Sequence, residues 1–138
     1  PEAMEAPNGV AATPEALSFM AHPRLPDTDA AYILATLGDG DTDFFSLEVT
    51  DASDVVSIFC GSRTAGSGVV DLQAALTDST GTTVIEMATE TATEGIAIAE
   101  ASVSSGTYLL RLTKGSQDAT VTGDWARCGI LIGPPAAP

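Results

Sequence analysis

The sequence predicts an all-β fold: a single β-sandwich, jelly-roll-like, of about eight or nine short antiparallel strands with extended Pro/Ala-rich ends. Three observations carry this. Apolar residues alternate with polar ones at a period of two, clusters of Gly, Asp, Ser and Thr separate the runs, and no segment shows the period of an amphipathic helix. The hydrophobic share rests on Ala, Val, Ile and Leu with few aromatics, and 13 Gly and 8 Pro punctuate it.

Residues 1–14 (PEAMEAPNGVAATP) hold no period and read as an extended lead-in. The sandwich is expected over 15–132, and 133–138 (GPPAAP) reads as a linker or tail. Ala16 to Met20 suits a short strand or a helical turn, and Pro23 and Pro26 in HPRLPD forbid regular structure after it. Ala31 to Leu37 is an apolar strand, Phe44 to Thr50 is expected as its partner, and Val55 to Cys60 follows a turn at Asp51–Asp54. GSRTAGSG at 61–68 is a loop.

Val70, Leu72, Ala74 and Leu76 alternate with Asp71, Gln73 and Thr77, the pattern of a half-buried strand. A turn at Asp78–Gly81 leads to a hairpin partner over Thr82 to Ala88, with Ile85 and Met87 on one side. TETATE at 89–94 reads as a polar connection. Ile96 and Ile98 mark a short strand, and Thr107 to Thr113 turns Tyr108, Leu110 and Leu112 inward. Lys114 to Gly123 is a loop or weak edge, and Trp125 to Ile132 is the closing strand.

Five Lys and Arg against 19 Asp and Glu give a formal charge of −14, and the scattered cations Arg24, Arg63, Arg111, Lys114 and Arg127 form no basic footprint. This excludes nucleic acid as a partner. Neither a bilayer-spanning apolar run nor a basic amphipathic helix occurs. The chain opens at Pro1 without an initiator Met, so its start is expected to be processed or preceded by further sequence. Cys60 and Cys128 each continue the apolar face of a strand, so both are expected in the core, either bonded to one another or as two buried thiols.

The densest polar feature is Gly38 to Thr50, GDGDTDFFSLEVT. Asp39, Asp41 and Asp43 alternate, and Phe45, Leu47 and Val49 continue the same period as an apolar face, so an acidic loop feeds a strand. Such an oxygen-rich cluster suits calcium, which takes six to eight oxygens in an irregular cage. A solvated polar turn is the plainer account. An EF-hand does not fit, because Phe44 stands where the loop glycine belongs and Thr50 where the closing acid belongs.

In their order the motifs resemble the bacterial pre-peptidase C-terminal (PPC) domain, a β-sandwich appended to exported proteins and related to the collagen-binding modules of clostridial collagenases. Glu5-Ala6-Pro7-Asn8 with Ala11-Ala12-Thr13 is similar to its early acidic-Pro-Asn segment, with one residue inserted. Gly40-Asp41-Thr42-Asp43-Phe44-Phe45 resembles its Gly-Asp-x-Asp step into two aromatics, and Asp78–Gly81 its later turn. Gly106-Thr107-Tyr108 and Gly123-Asp124-Trp125 stand where the family has its last two Gly-x-Tyr-type strands. The cysteine pair and Trp125 depart from the pattern. The resemblance implies calcium held by Glu5, Asn8, Asp41 and Asp43, with Asp39 and Glu2 as secondary candidates.

Catalysis finds little footing. His22 is the single histidine, and no Gly-x-Ser-x-Gly elbow is present. Trp125 alternates outward with Arg127 and is a candidate partner contact. The expected function is a non-catalytic exported accessory domain, secreted or at the bacterial cell surface, that mediates attachment, maturation or protein–protein contact. A structural subunit of a surface layer, sheath or fibre, paired with copies of itself, is the alternative; a hydrolase is a remote third. A polysaccharide or collagen-like ligand would need several exposed rings together, which the sequence by itself does not supply.

Overall fold

The computed structural model describes residues 9–37 and 42–136. Two five-stranded sheets face one another. The first has the order β1 (Glu15–Ala16), β4 (Thr42–Val49), β10 (Gly106–Thr113), β7 (Gln73–Asp78) and β8 (Val84–Thr89). The second runs β2 (Met20–Ala21), β3 (Asp29–Thr36), β12 (Trp125–Gly133), β5 (Val55–Gly61) and β9 (Ile96–Ser102). β6 (Val69–Val70) and β11 (Ser116–Gln117) form a small ribbon at one end. The pairings are antiparallel apart from β1 on β4. No helix of the described residues is long and apolar enough to cross a membrane.

The period-two runs fill the space between the sheets. Ile33 and Ala35 of β3, Phe45, Leu47 and Val49 of β4, Val56 and Ile58 of β5, Leu110 and Leu112 of β10 and Ile130 of β12 share one core. Each fully buried Leu or Ile there stabilises the fold by roughly 1.5–3 kcal/mol. Tyr108 joins them, and its hydroxyl donates to the Ser104 carbonyl at 2.6 Å, which satisfies its one polar atom.

Cys60 and Cys128 are bonded. They sit directly opposite one another in the β5–β12 pairing, with Cα atoms 4.1 Å apart, so the bridge staples neighbouring strands of one sheet.

Several expectations change. β3 and β4 do not pair: they lie in different sheets, because alternation fixes which face of a strand is buried but not which sheet receives it. β7 is buried on both faces, Ala75 and Thr77 included. The inward valine before it is Val69 rather than Val70, since Asp71 takes a positive φ of 56° and breaks the period. Met87 points outward: a bulge against Leu76 and Thr77 makes Ile85 the extra residue of β8 and flips the parity beyond it. TETATE is not wholly a surface connection, because Glu90 is buried.

The outer side of the first sheet is covered around Phe44 and Leu109, while Met87 on β8 stays 52% exposed. Leu109 is buried there, and a methyl group on Gly81 would lie 2.8 Å from the Ala11 side chain and 3.3 Å from Phe44. The β7–β8 turn and the lead-in therefore cross it. The outer side of the second sheet stays open over its middle.

Candidate ligand-binding face

The second sheet gains its outward face from the same alternation that builds the core. In β3, Ala31, Ile33 and Ala35 point in, which leaves Tyr32 and Leu34 outside at 76% and 75% exposure. In β5, Val56, Ile58 and Cys60 point in, and Phe59 stands outside at 45%. In the central strand β12, Ala126, Cys128, Ile130 and Ile132 point in, which puts Trp125, Arg127, Gly129 and Leu131 on the outer side.

Register then sets these residues in rows. Gly129 is the cross-strand partner of both Tyr32 and Phe59, so the row reads Tyr32, Gly129, Phe59. Arg127 pairs with Leu34 on one side and Gly61 on the other, one step along. A Cβ at Gly129 would come 3.5 Å from Tyr32 Cε1 and 3.7 Å from Cδ1, so one edge of the tyrosine ring overhangs the glycine. Between the rings the floor is bare backbone.

The depression over this floor has a volume of about 550 Å³, with Tyr32, Phe59, Thr64, Ala65, Arg127 and Gly129 among its walls. Arg127 is exposed, and among the described residues it makes no ion pair. Farther along the same side a second hollow of about 310 Å³ lies beside Leu131. The C-terminal segment borders it, and Ala136 N–H donates to Glu100 Oε1 at 2.7 Å.

Thr64 and Ala65 belong to a single 3-10 turn, Arg63–Ala65, and this turn is fastened from beneath by Glu90. The Glu90 carboxylate, 2% exposed, accepts from the backbone N–H groups of Ser62, Arg63 and Thr64 and from the hydroxyls of Ser62 and Thr64. Burial by itself would raise its pKa, but the hydrogen bonds from Ser62 and Thr64 outweigh it and hold the group below the ordinary glutamate value. Gly61 makes room for the arrangement, since a side chain there would begin 3.2 Å from Thr64 Oγ1.

Of the predicted calcium ligands, Glu5, Asn8, Asp39 and Asp41 lie outside the described residues, as does Glu2. Asp43 does not sit on a solvated loop: it belongs to β4, faces inward in phase with Phe45 and Leu47, and is 4% exposed. The described neighbours of the two acidic segments approach one another, a Cβ at Gly9 lying 3.6 Å from the Thr42 carbonyl oxygen. Among the described residues no group of three or more His, Cys, Asp or Glu is placed to hold a metal.

Trp125 is half-buried at the start of β12, on the side shared with Arg127. Its indole packs across Gly123, where an added Cβ would meet Nε1 at 3.0 Å. His22 holds a turn together, its Nδ1 accepting from the N–H groups of Arg24 and Leu25. Sequence reasoning missed the Tyr32–Gly129–Phe59 row and the Glu90 cage. The outward parity of Tyr32 and Phe59 was a usable signal for the first.

No protein-family model matches the chain. No curated protein matches it either. Among solved structures, the C-terminal CBM6 of LamC, a marine laminarinase from Zobellia galactanivorans, is similar at 13% identity and a TM-score of 0.42, covering 85% of this chain and 87% of that one. The resemblance to the pre-peptidase C-terminal domain therefore rests on its short motifs alone.

Proposed function

We propose that this chain is a non-catalytic accessory domain of an exported protein and that it binds through the outer face of the second sheet. One observation carries the reading: Tyr32, Leu34 and Phe59 leave large apolar side chains in water around Gly129. Clustered apolar exposure on a small acidic domain costs solubility unless something covers it. The bonded Cys60–Cys128 pair supports an oxidising, extracytoplasmic setting. The engagement of His22 with its own turn favours binding over catalysis.

The test is retention of the domain on insoluble extracellular material (cellulose, chitin, collagen, isolated cell envelope), with a Tyr32→Ala/Phe59→Ala double variant alongside. Retention of the parent on one of these and loss in the variant, at unchanged melting temperature, is the expected result. Equal retention of both would move the binding surface elsewhere.

The same reading includes calcium as a stabiliser of the lead-in, with Glu5, Asn8, Asp41 and Asp43 as ligands and Asp39 beside them. The approach of Gly9 to Thr42 supports it. Calcium would then bind the folded state alone and raise its melting temperature. Chelator-treated protein titrated with calcium should show that rise, and Asp43→Asn and Asp41→Asn should remove it.

A further inference from the structure

We propose that the Tyr32–Gly129–Phe59 row is a subsite for one pyranose ring of a neutral glycan, lying over the Gly129 backbone. This rests on the reading above that the outer face of the second sheet binds. Three strands set the geometry. Tyr32 and Phe59 project from the strands on either side of β12, whose backbones lie two inter-strand spacings apart, about 10 Å; the Tyr32 ring leans over one side of Gly129, and the missing side chain there leaves a depression toward Phe59. A sugar ring offers two chemistries at once: an apolar face of C–H groups and a rim of hydroxyls. The C–H groups, slightly positive, suit the negative face of an aromatic ring. The hydroxyls need donors and acceptors at the edge of the slot. Arg127, directly opposite Leu34 and Gly61 and two residues from Gly129 on the same face, brings five N–H donors that no described acidic group claims, and the Tyr32 hydroxyl both donates and accepts.

Other ligand classes fit less well. A polyanion meets a chain of formal charge −14. A lipid chain gains nothing from a guanidinium beside the floor. The depression, at about 550 Å³, falls in the range of small-ligand sites, roughly 300–1,000 Å³. On the same outer side of β12, Arg127 and Trp125 lie to one side of Gly129 and the separate Leu131 hollow to the other. The wall at Thr64 is fixed before any ligand arrives, because Glu90 holds its backbone and its hydroxyl. That wall needs no ordering on binding.

Isotope-labelled protein titrated with cellohexaose, laminarihexaose, mannohexaose and xylohexaose, with a hexagalacturonate and an extended apolar hexapeptide as contrasts, tests this. The expected result is that a neutral hexaose shifts the amides of Tyr32, Phe59 and Gly129. Its affinity should fall about tenfold in Tyr32→Ala and in Phe59→Ala, and less in Arg127→Gln. Gly129→Val, which fills the slot, should abolish binding, and melting curves of all four variants show whether each is folded. If the peptide or the acidic sugar shifts these amides and no neutral hexaose does, the neutral-glycan assignment is overturned while the binding face stands. Shifts confined to other surfaces, or none with any probe, would overturn both.

Discussion

A carboxylate shut away from water needs donors on every lone pair, and Glu90 finds five in one turn of chain. Glu90→Ala strips these donors of their acceptor in a buried place, and we expect a loss of about 2–4 kcal/mol in denaturant unfolding. Because the folded-state pKa is lowered, the stabilisation is present above the ordinary glutamate pKa and is lost as pH falls through the depressed value. An acid titration of stability should therefore be shallower in Glu90→Gln than in the parent over that window. Nothing in TETATE marks which of its two acids turns inward, since the donors lie 26–28 residues upstream and meet it only after the sheets close. The outward side of Tyr32 and Phe59 follows from their phase against the apolar residues of β3 and β5, but phase does not say whether an outer face is covered, as it is over Phe44 and Leu109. That they flank one glycine depends on register, which alternation leaves open.

At the scale of the strand, β12 organises the second sheet. It lies between β3 and β5 and carries the core, the disulfide and the floor of the slot on alternating or neighbouring residues. Closing a loop of 68 residues' separation removes unfolded-chain entropy worth about 4 kcal/mol in the chain-entropy model. Cys60→Ala/Cys128→Ala should lose stability of that order in urea, whereas the parent should lose it only on adding reductant. The eight described strands of six or more residues were legible, because each run is short, apolar and bounded by turn residues, whereas the two-residue strands β1, β2, β6 and β11 carry no such pattern. Pairing was not legible. β3 and β4 read as neighbours because they follow one another, and the bulge in β8 and the positive φ at Asp71 reset parity through backbone geometry that composition does not announce.

Across the whole molecule the acidic surplus is a standing repulsion. Asp54 shows it locally: partial burial and then the nearby carboxylates of Asp51, Asp29 and Asp27 raise its pKa. A raised acid is stabilised by its proton, so this contribution runs opposite to that of Glu90, with stability rising as pH falls toward the folded value. Thermal melts in chelator should shift upward as sodium chloride is raised from a few millimolar to about 0.15 M, as screening shortens the reach of these charges. Asp54→Asn should capture part of the gain at neutral pH and show a weaker salt response.

The two ends of the chain are held very differently. The N-terminal segment that follows the lead-in touches each sheet through a two-residue strand, β1 on β4 and β2 on β3, whereas β12 at the other end lies in the middle of its sheet, bonded to β5. Under tension between Gly9 and Ala136, the first would peel apart a few hydrogen bonds at a time, while the second would be loaded in shear against two neighbours and a covalent bond. Force would therefore extend the N-terminal segment before it disturbed the strands that flank Gly129.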